Sequence, residues 1–438
     1  MKVAFYTLGC KVNQVETEAM REAFAAAGHT PVPEEAPFDA VVVNSCTVTA
    51  ESDRKTRQTV RRFRKERPEA VIVLTGCMAQ AFAKESEALA EADVVAGNTD
   101  VTEIVGLTER FLETGERVFS VKEHRSDERF NTPPIHAFAE RTRAYMKIED
   151  GCDRYCTYCI IPTARGAVRS KPLAQVRKEA EALAAAGFSE IVPVGINLTS
   201  YGKGEAFTLC DAVEEICAVE GIKRVRLGSL EPDHISEEML ARFAAQEKFC
   251  PHFHLSLQSG CDKTLARMNR HYDTAFYREL VQKIRARFPD AAITTDIMVG
   301  FAGETAAEFE ESAAFAEEIG FADAHVFAYS RRKGTVAANL PGQVTKTEKA
   351  ERSRRMIAIA AKSQAAFLES RIGKTVPVLF ETAAAGYAEG YTANYIRVRV
   401  PSSCPHTGEI LPVRITESKD GVCFGEFSGS EGERDGKI

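Results

Sequence analysis

No apolar run in this 438-residue sequence approaches the ~20 residues that a bilayer span requires, so no membrane partner is expected. The opening MKVAFYTLGC has one lysine and a short apolar stretch, then enters a polar helical pattern without a small-residue cleavage site. It reads as a first strand and not as a leader. Positive charge is also in short supply. The 56 Lys and Arg stand against 63 Asp and Glu, a net charge of −7, so any RNA contact has to come from local patches. Cysteine, by contrast, is plentiful. Twelve of them without an export signal predict a reducing, cytoplasmic setting in which they serve as ligands or inert core residues. A hydrophobic fraction of 44% is ample for buried cores, and the length suggests about three domains.

Three cysteines are concentrated in GCDRYCTYCIIP, residues 151–162, where Cys152, Cys156 and Cys159 are spaced C-x3-C-x2-C. Converging on one soft-metal centre requires the backbone to wrap around it. A structural zinc loop normally closes a tetrahedral site with four ligands, and no fourth Cys or His lies nearby; the next cysteine is Cys210. A 4Fe–4S cluster has four irons, so three thiolates leave one iron open for an exogenous ligand. The spacing therefore points to chemistry more than to stapling.

Residues 1 to about 105 alternate short β-branched runs (KVAFYTLG, DAVVVNS, AVIVLTG, ADVVAG) with helical patterns, which predicts a doubly wound parallel sheet. Gly28 marks the end of the first helix and Asp53 the N-cap of the second. Cys10, Cys46 and Cys77 each fall just beyond the carboxyl end of one strand, the edge where open α/β sheets bind ligands. They are either three buried thiols or a second three-cysteine cluster site. Residues 106–143, with a Pro pair and no periodicity, read as a linker. From about 144 to 335, six strand–helix repeats predict an open or closed (β/α) barrel with its site at the strands' carboxyl ends. Asn197, Ser229, Glu231, Ser256 and Gln258 lie at such strand ends, whereas His254, alone within a strand, reads as packing. From about 373 the period changes to two, as in a small β-barrel, and SGSEGERDGKI reads as a disordered tail.

The cysteine loop resembles that of radical S-adenosylmethionine (SAM) enzymes. TLGCKVNQVETEAM, VVVNSCTVTAESDRKTRQ and VLTGCMAQ resemble the N-terminal domain of tRNA methylthiotransferases, more narrowly the branch acting on N6-threonylcarbamoyladenosine. VGINLTSYG, RLGSLEP, HLSLQSG, RMNRHYD and TTDIMVGFAGET are similar to the same branch, and GYTANYIRVRV is similar to the TRAM module, an OB-like RNA-binding barrel.

The resemblance implies four segments: an N-terminal methylthiotransferase domain (1–112), a radical-SAM partial (β/α)6 barrel (138–370), a TRAM domain (371–427) and a tail (428–438). It implies two 4Fe–4S clusters, on Cys10, Cys46 and Cys77 and on Cys152, Cys156 and Cys159, with SAM surrounded by the five strand-end residues. No further catalytic side chain is singled out. The implied reaction adds a methylthio group to C2 of N6-threonylcarbamoyladenosine next to the tRNA anticodon, with a donor such as flavodoxin or ferredoxin supplying electrons. The sulfur source stays open. The alternatives are the same chemistry on isopentenyladenosine tRNA or a ribosomal-protein aspartate, or a non-catalytic, metal-stabilised RNA-binding protein. RNA contacts are expected from one cationic helix face, Arg54, Arg57, Arg61, Arg64 and Lys65. Arg397 and Arg399, with Tyr391 and Tyr395, are expected to contact RNA from the C-terminal module, although residues 371–427 hold six Lys/Arg and six Asp/Glu. Arg165 and Arg169 flank the cysteine loop and are expected to reach SAM or RNA.

Overall fold

A computed structural model describes residues 1–136, 142–384 and 386–428; the expected tail and the expected boundary at residue 138 fall largely or wholly outside the described residues. Six parallel strands form the first sheet: β1 (Lys2–Thr7), β2 (Thr30–Val32), β3 (Ala40–Ser45), β4 (Val71–Gly76), β5 (Val94–Ala96) and β6 (Val118–Ser120), in the order β2-β1-β3-β4-β5-β6. Alternate strand residues face opposite sides. Val3, Phe5, Val42 and Val73 pack on Val12, Val15, Met20 and Phe24 of helix α1 (Lys11–Ala26). Ala4, Val41, Val43, Ile72 and Leu74 pack on Val60 and Phe63 of α2 (Ala50–Glu66), which makes the sheet doubly wound. The edge strands β2 and β6 were not legible, being three residues each. Helix α2 also begins earlier than expected. Its N-cap is Thr49, whose hydroxyl accepts from the Ser52 amide at 3.1 Å, while Asp53 is turned inward.

The register is what matters for function. Thr7 pairs with Asn44 and Asn44 with Thr75, so the carboxyl ends of β1, β3 and β4 stand level and side by side. Cys10, Cys46 and Cys77 leave the sheet there, Cys77 opening the short helix α3 (Cys77–Ala81), which α4 (Ala83–Glu87) and α5 (Ile104–Thr114) follow.

The second domain starts at β7 (Arg143–Lys147). A short hairpin of β8 (Glu149–Asp150) and β9 (Arg169–Ser170) closes the base of the cysteine loop, and helix α6 (Ile161–Arg165) lies within that loop against α3. Gly151 has φ +88°, and a Cβ there would sit 2.0 Å from the Ala167 carbonyl oxygen, so the tight entry to the loop needs glycine. The parallel strands β10 (Glu190–Val194) and β11 (Arg224–Val225) join β7 in one sheet. Strands β12 (Ser229–Leu230), β13 (His252–Leu255), β14 (Ala292–Val299) and β15 (Asp323–Ala328) form the next. RVRLGSL, which reads as one strand, is broken around Gly228 and hands the wall over from the first sheet to the second. The apolar core of this partial barrel is continuous with the α1 side of the first sheet.

The C-terminal strands β16 (Thr375–Ala384), β17 (Tyr387–Thr392), β18 (Arg397–Pro401), β19 (Ile410–Lys419) and β20 (Val422–Phe427) close into a five-stranded barrel around Val378, Phe380, Val398, Val413 and Ile415. Buried arginines fasten it to the central domain. Arg224 donates to the carbonyls of Pro377 (2.8 Å) and Tyr391 (3.0 Å), and Arg226 to that of Ala393 (2.7 Å). No helix among the described residues is long and apolar enough to cross a membrane.

Candidate functional site

The C-x3-C-x2-C loop and the five strand-end residues meet. Cys152, Cys156 and Cys159 line a cavity of about 150 Å³ together with Asn197, Ser229, Glu231, Ser256 and Gln258. The strands β10, β12 and β13 end at this point, which is why residues far apart in sequence converge. Ser229 and Ser256 share a hydrogen bond at 2.9 Å, and Asn197 is fixed by its side-chain amide donating to Ser200 Oγ at 2.8 Å. Gln258 holds a left-handed φ of +68°, and its Oε1 is buried with no partner among the described residues. Glu231 pairs with Arg270, which also donates to Cys156 Sγ at 3.1 Å.

Burial pushes the thiols of Cys152 and Cys159 up to about 12, with the neighbouring sulfurs adding to the effect. Such thiols are protonated at neutral pH until a metal displaces the proton. Three thiols facing one cavity beside an orphaned amide oxygen fit a three-cysteine cluster that carries an additional ligand.

Among the described residues no three His, Cys, Asp or Glu are gathered to hold a single metal ion. A cluster asks for a different spacing, because each thiolate takes its own iron.

The first triad also converges. Cys10 opens onto a second cavity, of about 600 Å³, while Cys46 and Cys77 are buried behind it. Burial raises all three thiols, Cys77 to about 11, and each sits in the field of another: Cys46 acts on Cys10, Cys77 on Cys46 and Cys10 on Cys77. Two buried asparagines hold the strand ends together. Asn13 Nδ2 donates to Asn44 Oδ1 (3.1 Å) and to the Ser45 carbonyl (3.1 Å), Asn44 Nδ2 donates to the Asn13 carbonyl (2.9 Å), and Cys10 Sγ donates to Asn13 Oδ1 (3.4 Å). Asn44→Ala strands these buried partners, which should lower stability by about 1–3 kcal/mol and loosen iron retention. A lower melting temperature with reduced iron per chain is the expected reading, and an unchanged melting curve would show the pair to be dispensable.

Arg165 does not reach SAM or RNA. It is fully buried, and its Nε donates to Cys77 Sγ at 3.2 Å while its guanidinium clasps Glu16, Nη2 to Oε2 at 2.9 Å. Glu16 also accepts from Lys147 Nζ (2.7 Å), Lys147 donates to Asp150 (2.7 Å), and Arg169 donates to Asp150 (3.2 Å). The expectation fails for a physical reason. With α6 packed on α3, both arginines point into an interface whose buried carboxylates require them. Arg332 forms a second strut, donating to Asp53 Oδ2 at 2.6 Å and to the Thr47 carbonyl at 2.9 Å, next to Cys46.

Ser229 lines both cavities, so the large one, onto which Cys10 opens, adjoins the small one lined by the second triad. Its wall includes Lys11, His252, His254, Asp296, His325 and Tyr395. His254, expected to be packing, faces this space; its Nε2 stands 3.3 Å from Asp296, and His325 Nδ1 also lies 3.3 Å away. Burial alone would raise the Asp296 carboxyl, but the two imidazoles hold it well below the usual range. Burial pushes His252 far down, so it is neutral. Tyr395, at the turn between β17 and β18, stacks on Tyr391 at 4.9 Å, and both lie under the Arg143 guanidinium. These two aromatics therefore serve the cavity and the domain joint and do not form an outer stacking face.

The cationic faces are less free than the sequence suggests. Arg54 pairs with Glu51, Arg61 with Glu91 and Arg64 with Asp93, and Arg64 also donates to the carbonyls of Pro68 and Ala70. Arg57 and Lys65 join no ion pair among the described residues, so the expected strip is interrupted. Arg397 and Arg399 both bind Glu389, at 2.7 Å each from Nε. Spacing alone could not reveal these acidic partners, which come from other elements.

The radical SAM superfamily model matches residues 146–316, and a model described as uncharacterized protein family UPF0004 matches residues 2–97. The threonylcarbamoyladenosine tRNA methylthiotransferase MtaB of Bacillus subtilis is 37% identical over 432 residues, 97% of this chain and 96% of that protein. Its counterpart in Thermotoga maritima is 36% identical, over 96% of each chain. A tRNA-2-methylthio-N(6)-dimethylallyladenosine synthase of Symbiobacterium thermophilum is 33% identical over 97% of this chain and 94% of that protein. Among solved structures, the radical SAM methyltransferase TsrM of Kitasatospora setae shares the fold, with a TM-score of 0.56 over 89% of this chain and 77% of that one at 13% identity.

Proposed function

This chain belongs to the radical-SAM family of tRNA methylthiotransferases, and we infer from that membership and from the adjoining cavities that it replaces the C2 hydrogen of N6-threonylcarbamoyladenosine in tRNA with a methylthio group. In this reading Cys152, Cys156 and Cys159 hold a 4Fe–4S cluster that binds SAM, and Cys10, Cys46 and Cys77 hold a second one. Bound there, the first cluster and SAM supply the radical that makes an unreactive C–H bond accessible. The polypeptide does the rest. Asn197, Ser229, Ser256 and Gln258 orient the cofactor by hydrogen bonds, and Arg270 balances the charge of Glu231 and of the thiolate of Cys156. Apolar side chains on the wall of the large cavity, Val12, Val194 and Leu227, limit the water beside a reactive centre. The target base has to leave its stack to enter it, as base-modifying enzymes require.

The C-terminal barrel is read as a TRAM module, with Arg57, Lys65 and the exposed edges of Arg397 and Arg399 available for phosphate contact. A flavodoxin or ferredoxin would supply electrons, in a reducing cytoplasm consistent with twelve free cysteines. The single observation that carries the reading is that one residue, Ser229, borders both cysteine-lined cavities.

Nucleoside mass spectrometry of tRNA from a strain lacking the gene tests it. The expected result is loss of 2-methylthio-N6-threonylcarbamoyladenosine with accumulation of its unthiolated precursor, restored by the gene. Loss of the 2-methylthio-isopentenyl nucleoside instead would transfer the activity to the other tRNA substrate.

A further inference from the structure

We propose that Lys11 is a specificity-determining residue that pairs with the carboxylate of the threonylcarbamoyl group on the target adenine, an inference that rests on the function proposed above. Lys11 is the first residue of α1 and lines the large cavity directly beside Cys10. A cation at a helix N-terminus opposes the helix dipole, and here no acidic residue in the first turn offsets it. Among the described residues its ammonium donates no hydrogen bond and joins no ion pair; it lies over the face of Tyr145, 5.7 Å from the ring centroid, with Tyr395, Arg143, Arg226 and Cys10 near enough to act on its charge.

Arg143 pairs with Glu381 and Arg226 with Glu190; of the two acids across the cavity, Asp296 is covered by His254 and His325, and Asp323 accepts from Gln364 Nε2 at 3.1 Å. Lys11 is therefore an unpaired, half-buried charge on the wall of a substrate-sized space. That placement is unfavourable unless an anion arrives.

The chemistry of the substrate supplies one. In adenine, C2 and C6 flank N1 along one edge of the ring. A base that presents C2 to the wall bearing Cys10 brings its N6 substituent toward that same wall, and Lys11 is there. A threonylcarbamoyl group ends in a carboxylate that can pair with the ammonium. An isopentenyl group is apolar and would leave the ammonium buried and unpaired, so the same lysine accepts one substrate and rejects the other.

The test uses the full-length, cluster-reconstituted protein and fluorescence-anisotropy binding of anticodon hairpins carrying adenosine, N6-threonylcarbamoyladenosine, its methyl ester or N6-isopentenyladenosine at the target position. The unaltered protein is expected to bind the threonylcarbamoyl hairpin roughly ten- to hundredfold more tightly than the adenosine hairpin, as a charge-assisted contact allows. That preference should vanish with the methyl ester and with Lys11→Gln. If the ester hairpin binds as tightly as the acid, the inference about Lys11 is overturned while the function stands. If the unaltered protein prefers the isopentenyl hairpin, the proposed function itself is overturned. The ester arm needs no mutation, so a Lys11→Gln chain that folds poorly does not blunt the test.

Discussion

Arg165→Met should uncouple the two domains. The arginine is fully buried and links Cys77 of the first triad to Glu16, which is held in turn by Lys147 of the second domain. Removing one partner of a buried ion pair costs about 3–5 kcal/mol where the other charge is left uncompensated, and Lys147, still bonded to Glu16, offsets part of that. Methionine fills much the same volume, so packing loss contributes little. The expected result is a melting temperature lower by several degrees together with lost iron from the Cys10/Cys46/Cys77 site, because Cys77 loses its donor and the field of Arg165 that favours its thiolate. Arg165→Lys keeps the charge but cannot bond Cys77 and both Glu16 oxygens at once, and it should fall between the two. The double variant Arg165→Met/Glu16→Gln removes the carboxylate left with Lys147 as its one cation and should regain part of the melting temperature but not the iron. An Arg165→Met chain that melts as the unaltered protein does, with full iron and full methylthiolation, would show that this arginine is not a strut.

The contrast between what the sequence revealed and what it concealed has a physical basis. Backbone-level features were readable: β-branched runs between helical patterns mark parallel strands, and the cysteines at their ends mark the site. Short elements escaped, because three-residue edge strands carry no periodicity, and RVRLGSL reads as continuous although its glycine breaks it between two sheets. The five strand-end residues came together because barrel topology alone brings carboxyl ends to one place. The roles of charged side chains were concealed. Arg64 and Arg165 look alike in sequence, as basic residues in helices that follow a cysteine, yet one braces a helix end and the other spans two domains, and only their partners distinguish them. His254 and Tyr395 belong to the cavity because a third element faces each of them, the β14–β15 edge for one and the central domain for the other. Lys11 carried a signal that spacing rules do not weigh: a cation placed where the helix dipole disfavours it.

Removing the two cysteine triads separately should produce phenotypes that differ in one product. Cys152→Ala/Cys156→Ala/Cys159→Ala removes the thiols proposed to hold the SAM-binding cluster, so neither 5′-deoxyadenosine nor modified nucleoside should form. Cys10→Ala/Cys46→Ala/Cys77→Ala leaves that cavity intact, since none of the three lines it. Iron should fall from about eight to about four per chain, one cluster's worth. Reductive cleavage of SAM to 5′-deoxyadenosine should continue, while methylthiolation falls to background. This dissociation is informative because it separates the power to activate the C–H bond from the power to deliver sulfur. The arrangement favours it: the triads lie on different domains and line separate cavities that both border Ser229. Alanine is close to cysteine in size, and only Cys46 and Cys77 of the three are buried, so the fold should survive, and circular dichroism of the variant provides the control. A chain without the first triad that still transfers the methylthio group would mean the sulfur comes from elsewhere, and the convergence of Cys10, Cys46 and Cys77 on one sheet edge would then be packing alone.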